Sequence, residues 1–256
     1  MEILQKKYDM INPYSLENKT ILVTGASSGI GRQIALRCSE MGAKVVITGR
    51  NEERLQNTFQ NLSGDGHKKI ICDISEENKI DGFVRDLPVL DGIVMCAAIF
   101  DTTVVRHLNG QKMHSLFSTN TFSNILLSQQ LLKQKKVNFG ASIVFISSVA
   151  STRPYKGNAL YSATKGAINS FSKVMAVELG GQKIRVNCIH PGIVKTRPII
   201  NDGAVTEDQL KAEEERFPLG FGEPDDIAYA SVYLLSNVSK WITGSDMIVD
   251  GGQCLV

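Results

Sequence analysis

Short runs of β-branched and other apolar residues recur along the chain, each followed by a longer stretch in which apolar positions return every three or four residues. The short runs suit strands covered on both faces, and the longer period suits amphipathic helices. Seven strands are predicted, at Lys19–Thr24, Lys44–Thr48, Lys69–Cys72, Gly92–Cys96, Ser142–Ser147, Arg185–Ile189 and Met247–Val249. Six helices are predicted among them, at Arg32–Met41, Glu52–Leu62, Glu76–Asp86, Gln111–Gln134, Ala159–Leu179 and Asp225–Leu235. Glu223-Pro224-Asp225-Asp226 announces the last helix, with proline and acidic groups where a helix dipole favours negative charge. No linker interrupts the alternation. It therefore predicts one α/β domain, a doubly wound, seven-stranded parallel sheet with helices on both faces.

Two stretches fall outside this rhythm. Residues 1–18 precede the first strand and read as an N-terminal arm, leaving 19–256 as the domain. Thr196–Leu219 carries the charged run KAEEER and follows Pro191-Gly192 at a strand end, where open α/β sheets bind their ligands. This makes it a candidate substrate lid, although a solvated amphipathic insertion has the same composition.

Composition narrows the function. The chain has 256 residues, 43% hydrophobic and 21% charged, an ordinary globular mix. With 28 Lys+Arg against 26 Asp+Glu, the net charge of +2 is too small for a nucleic-acid or membrane-surface footprint, which points to small-molecule chemistry. The start lacks the apolar core of a signal peptide, and no apolar stretch approaches the ~20 residues needed to span a bilayer, so the cytoplasm is expected. Cys38, Cys72, Cys96, Cys188 and Cys254 form no C-x-x-C pair and read as reduced thiols. His67, His107, His114 and His190 lack zinc-site spacing, so no metal is implied.

The first predicted strand runs straight into Gly25-Ala26-Ser27-Ser28-Gly29-Ile30-Gly31, and a helical pattern follows at once. Three glycines at a strand-to-helix turn let backbone approach a pyrophosphate, while the free N–H groups and dipole of the helix start attract its charge. A plain tight turn would use the same glycines, and the spacing departs from G-x-G-x-x-G. About 20 residues on, a dinucleotide-binding fold places the side chain that meets the adenosine ribose. Here the second strand ends at Thr48-Gly49-Arg50, and a guanidinium there can hold a 2′-phosphate through paired, charge-assisted hydrogen bonds. Arg50 thus favours NADP(H) over NAD, though Ser28 supplies no second positive charge beside it.

Tyr161 and Lys165 lie in Y-S-A-T-K, four residues apart and so on one helical face. An ammonium about 4 Å from a phenol is worth ~4 kcal/mol at an effective dielectric near 20, which would lower the tyrosine pKa by about 3. Such a tyrosine could give a proton to a carbonyl oxygen as hydride reaches its carbon.

Together with Ser148 at the end of the fifth strand and Asn120 upstream, these motifs resemble the short-chain dehydrogenase/reductase family. The resemblance runs from Lys19 to Gly252 through TGASSGIG, CDIS with Asp73, Asn120, ISS with Ser148, YSATK, NCIHPGIVKT and WITGSDMIVDGG. It implies a Rossmann fold and a set of roles. Tyr161 would be the general acid/base, Lys165 would tune it and hold the nicotinamide ribose, Ser148 would bond the substrate oxygen, and Asn120 would support a proton-relaying water. Gly25, Ser27, Ser28, Gly29, Ile30 and Gly31 would surround the pyrophosphate and ribose. Asp73 and Ile74 would meet the adenine and Arg50 the 2′-phosphate. Cys96 and Ala97 would contribute backbone, and Pro191, Gly192, Val194 and Thr196 would lie at the carboxamide end.

One segment departs from the family pattern: Met95-Cys96-Ala97-Ala98 stands where N-N-A-G is usual, which removes two side-chain amides that brace the sheet. Weaker or repositioned cofactor binding is expected. The leading functional expectation is an NADPH-dependent reductase of a 3-oxoacyl thioester or similar ketone, most like beta-ketoacyl-acyl-carrier-protein reductases. Its partner would be an acyl carrier protein meeting Lys133, Lys135 and Lys136, and its assembly a homotetramer. A keto-sugar, steroid or other cyclic alcohol is the alternative substrate class. A non-catalytic dinucleotide sensor or scaffold on the same fold is the alternative of another kind.

Overall fold

The structure, a computed structural model, describes residues 12–196 and 207–256. Seven strands form one parallel sheet: β1 (Thr20–Thr24), β2 (Lys44–Gly49), β3 (Lys68–Ile71), β4 (Leu90–Met95), β5 (Val137–Ile146), β6 (Arg185–Pro191) and β7 (Asp246–Val249). Their order is β3-β2-β1-β4-β5-β6-β7, with every neighbouring pair parallel. The order in which successive strands are laid down therefore reverses between β1 and β4, the switch point at which such sheets open a ligand crevice.

Helices cover both faces because adjacent strand residues point to opposite sides. On one side Ile21, Val23, Val94, Val144 and Ile189 pack against α1 (Gly29–Glu40), α2 (Glu52–Gln60) and α8 (Pro224–Leu235). On the other, Leu22, Ile93, Met95, Ile143, Phe145 and Cys188 pack against α3 (Glu77–Asp86), α5 (Ser123–Lys133) and α6 (Ala159–Leu179). The acidic start expected for α8 is present as a capping box of Glu223 and Asp226. Its C-terminal carbonyls are satisfied by Lys19 and Arg185, which donate to Leu235 O at 2.8 Å and Leu234 O at 2.7 Å.

Three expectations need correction. The helix predicted at Gln111–Gln134 is two segments, α4 (Gly110–Phe117) and α5, joined by a π-helical turn over Ser118–Phe122. An amphipathic pattern does not reveal one inserted residue, and such turns gather at functional sites. Within the candidate lid, residues 197–206 lie outside the described residues, but helix α7 (Glu207–Glu214) follows where no helix was expected. Its charged sequence gives a weak apolar period. It is held by Glu214, which pairs with Lys195 at 2.8 Å and accepts from Phe221 N at 3.3 Å.

The arm is also more than an arm. Residues 1–11 lie outside the described residues, but Leu16 is fully buried against the α1–β2 region and its N–H donates to Met41 O at 2.8 Å. Leu16→Ala is therefore expected to cost ~2–5 kcal/mol, read as a lower urea midpoint at unchanged slope.

Candidate active site

The crevice opens at the C-terminal ends of β1, β4, β5 and β6. At β1 the chain turns through Gly25, at φ 67°, and Gly29, at φ 53°. A Cβ at Gly25 would lie 2.8 Å from Ala97 Cα, and one at Gly31 2.5 Å from Gly25 O. Both positions accept glycine alone without moving backbone. Ser28 stands at the N-cap of α1 but its side chain makes no capping hydrogen bond, so the first N–H groups of the helix remain to be met. A shallow backbone cradle beside an uncapped helix start fits a pyrophosphate. Thr196 closes the cradle from β6, its Cγ2 3.3 Å from where a Cβ of Gly29 would be.

Along the crevice, Arg50 follows β2 with an exposed guanidinium, its Nη1 3.9 Å from Asp73 Oδ2. Asp73 is held by Ser75, whose N–H and hydroxyl donate to Oδ1 at 3.0 and 2.7 Å, and Ile74 beside it is buried. Arg50 and Asp73 thus face one spot from β2 and β3. Such a pair suits a ribose phosphate and an adenine at adjacent positions. Pro191 and Val194 are buried at the end of β6, and Gly192 packs so closely on Asp250 that a Cβ would come within 2.9 Å of its Cα.

The backbone of the Met95–Ala98 segment is held by the end of β1. Thr24 Oγ1, fully buried, accepts from Cys96 N at 2.9 Å and Ala97 N at 3.1 Å. This hydroxyl, from the first residue of TGASSGIG, holds the backbone of the segment to the end of β1. Cys96 is not poised to react: burial pushes its thiol up to about 12, although Lys165 pulls in the opposite direction.

Ser148, Tyr161, Lys165 and Asn120 converge. Ser148 leaves β5 as the N-cap of a short 3-10 turn, Val149–Ser151, and its hydroxyl accepts from Ala150 N at 3.1 Å. Lys165 is buried on α6 and donates from Nζ to Ile146 O at 2.8 Å, with Nζ 5.7 Å from the centre of the Tyr161 ring. Phe100 packs edge-on to Tyr161 at 5.0 Å and presents an exposed apolar surface at the mouth. Asn120 lies in the π-helical turn, fully buried. Its Oδ1 accepts from Ile99 N at 2.8 Å, and its Nδ2 donates to Ile99 O at 2.9 Å and Thr164 Oγ1 at 3.2 Å. The amide therefore ties the β4 exit to α6.

The electrostatics reverse one expectation. Burial pushes the Tyr161 phenol up to about 12, opposed by its hydrogen bond with Ser148. Burial also lowers the Lys165 ammonium to about 8, while its Nζ donates to Ile146 O. In the protein alone the pair is thus an acid that keeps its proton above a lysine that readily releases one.

Among the described residues, Cys188, His190 and Asp246 also bring metal-type donor atoms within 4.8 Å of one another. These atoms are already committed: Asp246 to His190 at 3.1 Å and Lys173 at 2.7 Å, and Cys188 Sγ to Ser172 Oγ at 3.0 Å. Sequence spacing could not join Asp246 to the other two, since the contact crosses from β6 to β7.

A family model described as enoyl-(acyl carrier protein) reductase matches residues 25–253. A 3-oxoacyl-[acyl-carrier-protein] reductase of Rickettsia prowazekii is 32% identical over 94% of this chain and 99% of its own. The protein of the same description from Chlamydia muridarum is 35% identical over 93% and 98%. A crystal structure of a dehydrogenase/reductase from Sinorhizobium meliloti 1021 superposes with a TM-score of 0.84 at 30% identity, covering 94% of this chain and 96% of that one.

Selective labelling of lysine εCH2 groups provides a check on this environment. The Lys165 signal is expected to titrate near pH 8, well below the ordinary lysine range.

Proposed function

The chain belongs to the short-chain dehydrogenase/reductase family and is an oxidoreductase of carbonyl and alcohol groups using a nicotinamide dinucleotide; from that premise we propose that it reduces the ketone of a 3-oxoacyl thioester with NADPH. The observation that carries this reading is the convergence of Ser148, Tyr161 and Lys165 beside the glycine cradle. When bound, the cofactor supplies the hydride. Tyr161 stays protonated across neutral pH and gives its proton to the carbonyl oxygen, which the Ser148 hydroxyl holds in place. Lys165, with a proton loosened to about 8, can pass one on to the emptied phenolate, and Asn120 keeps the β4 exit and α6 in register while it does so.

The choice of NADPH rests on Arg50, whose exposed guanidinium can take a 2′-phosphate in place of its long contact with Asp73. The choice of an acyl-carrier substrate draws on the names of the two bacterial relatives and on the exposed Lys133 and Lys135. Lys136 does not join that patch, because its Nζ donates to Arg85 O at 2.9 Å and Leu87 O at 2.5 Å. A homotetramer fits the exposed Val174 and Val177 on α6 and Trp241, 96% exposed, before β7. Cytoplasmic residence fits five free thiols, and no described helix is long and apolar enough to cross a membrane. A sensor or scaffold is less well supported, since the altered Met95–Ala98 segment keeps its brace on Thr24.

The test follows NADPH absorbance with a 3-oxoacyl thioester, beside NADH and a panel of keto-sugars and cyclic ketones. Tyr161→Phe is expected to lower kcat by ~10²–10⁴ with NADPH affinity retained. Arg50→Ala is expected to weaken NADPH ~10–100-fold while leaving NADH nearly unchanged. Turnover surviving in Tyr161→Phe would defeat the proposal.

A further inference from the structure

Behind Ser148 lies a polar cluster that the reaction itself does not use. His190, on β6 and 1% exposed, brings Nδ1 to 3.2 Å from Ser148 O and 3.3 Å from Ser151 Oγ, and Nε2 to 3.1 Å from Asp246 Oδ1. Asp246, on β7, is bound on its other oxygen by Lys173 of α6 at 2.7 Å. Burial raises its carboxyl, but the bonds from Lys173 and His190 outweigh this and hold it below its ordinary range. The cluster continues through Ser151 Oγ, which accepts from Asn169 Nδ2 at 2.8 Å, and through Asn169 Oδ1, which accepts from Ser147 Oγ at 2.6 Å.

Donors and acceptors can be counted. Ser148 O accepts from Ser151 N at 3.1 Å and from the Ser151 hydroxyl at 2.7 Å, and the His190 ring edge meets the same carbonyl. Ser151 has one proton to give, so the 2.7 Å bond commits it to the carbonyl rather than to Nδ1 at 3.3 Å. The Asp246 carboxylate can only accept, so that bond is donated by Nε2–H, and Nδ1 donates to Ser148 O where the ring carries both protons. The backbone of the 148–151 turn is thereby anchored to β7 by way of a single imidazole.

We propose that His190 is the positioning residue of Ser148: bridging Asp246 on β7 and the Ser148 carbonyl, it fixes the turn from which the Ser148 hydroxyl reaches Tyr161 and the substrate oxygen. Asp246 orients the ring, Lys173 holds Asp246, and the Cys188 thiol is the other titratable group beside the ring. His190 touches neither substrate nor cofactor in this scheme. The inference rests on the ketoreductase reading for its kinetic consequence, but its structural consequence does not depend on turnover.

Two substitutions divide the bridge. The amide of His190→Asn lies near the Nδ1 position and keeps a donor for Ser148 O, whereas that of His190→Gln lies near Nε2 and keeps the bond to Asp246. Amide hydrogen exchange over residues 149–152, NADPH dissociation constants and ketone-reduction kinetics are measured on wild type, His190→Ala, His190→Asn and His190→Gln. His190→Ala is expected to raise exchange in the turn ~10-fold and lower kcat ~10-fold, the size of one lost hydrogen bond, with NADPH affinity within about twofold of wild type. His190→Asn is expected to recover most of both losses and His190→Gln little of either. The proposal is overturned if His190→Ala leaves turn exchange unchanged, if Asn and Gln rescue equally, or if NADPH affinity falls in step with kcat, as general loosening of the fold would produce. A wild-type protein that reduces none of the ketones would defeat the functional reading, while the exchange measurements would still decide whether the bridge holds the turn.

Discussion

Strand β1 is hydrogen-bonded to β2 on one side and β4 on the other and buried on both faces, so little in it can change without moving the sheet. At its end the β1 chain turns away into α1 while β4 exits in another direction, and the gap between them is where polar groups can meet a ligand. Thr24 sits at that divergence. Its hydroxyl takes the two N–H groups of the departing β4 segment, Cys96 and Ala97, and so sets how far the strands part. Gly25 then passes Ala97 at a distance that excludes any side chain. Cradle, uncapped helix start and β4 exit all follow from this one junction.

The side of the crevice that holds Tyr161 and Lys165 is arranged by similar economy on the far strands. Lys165 is placed by a strand carbonyl, Ile146 O, and Asn120 by the backbone of Ile99, so two side chains of the site hold main chain as well as facing chemistry. The π-helical turn makes the second contact possible. One extra residue between α4 and α5 rotates Asn120 out of the regular ladder toward the β4 exit. Burial then sets the proton affinities: it favours the neutral form of each partner, raising Tyr161 and lowering Lys165, so two groups that are nearly matched in water are driven apart.

Much of this was legible in the chain. Parallel strands buried on both faces leave near-continuous apolar runs, which is why seven strands and their order of appearance could be read, with boundaries shifted by a few residues at β4 and β5. The glycine turn, Arg50 and the Tyr161–Lys165 spacing were equally plain, because each depends on local chemistry at a fixed interval. Helix α7 was missed, since the charged run around Glu213–Glu215 masks its apolar period. The burial of Leu16 was missed because a short apolar residue in a polar segment announces nothing until its neighbours are known.

The sequence by itself determined the alternation of strands and helices, the glycine turn and the Tyr161–Lys165 spacing, since all of these are set by short-range periodicity and steric limits. The tertiary structure decided everything that depends on groups far apart in the chain meeting in a dry interior. That includes the Thr24 brace, the Asn120–Ile99 tie, the bridge of His190 between Ser148 and Asp246, and the direction of the Tyr161 shift. An ammonium four residues away suggested a depressed phenol, but desolvation pushes it the other way. Desolvation is a property of the folded surroundings, and no spacing along the chain encodes it.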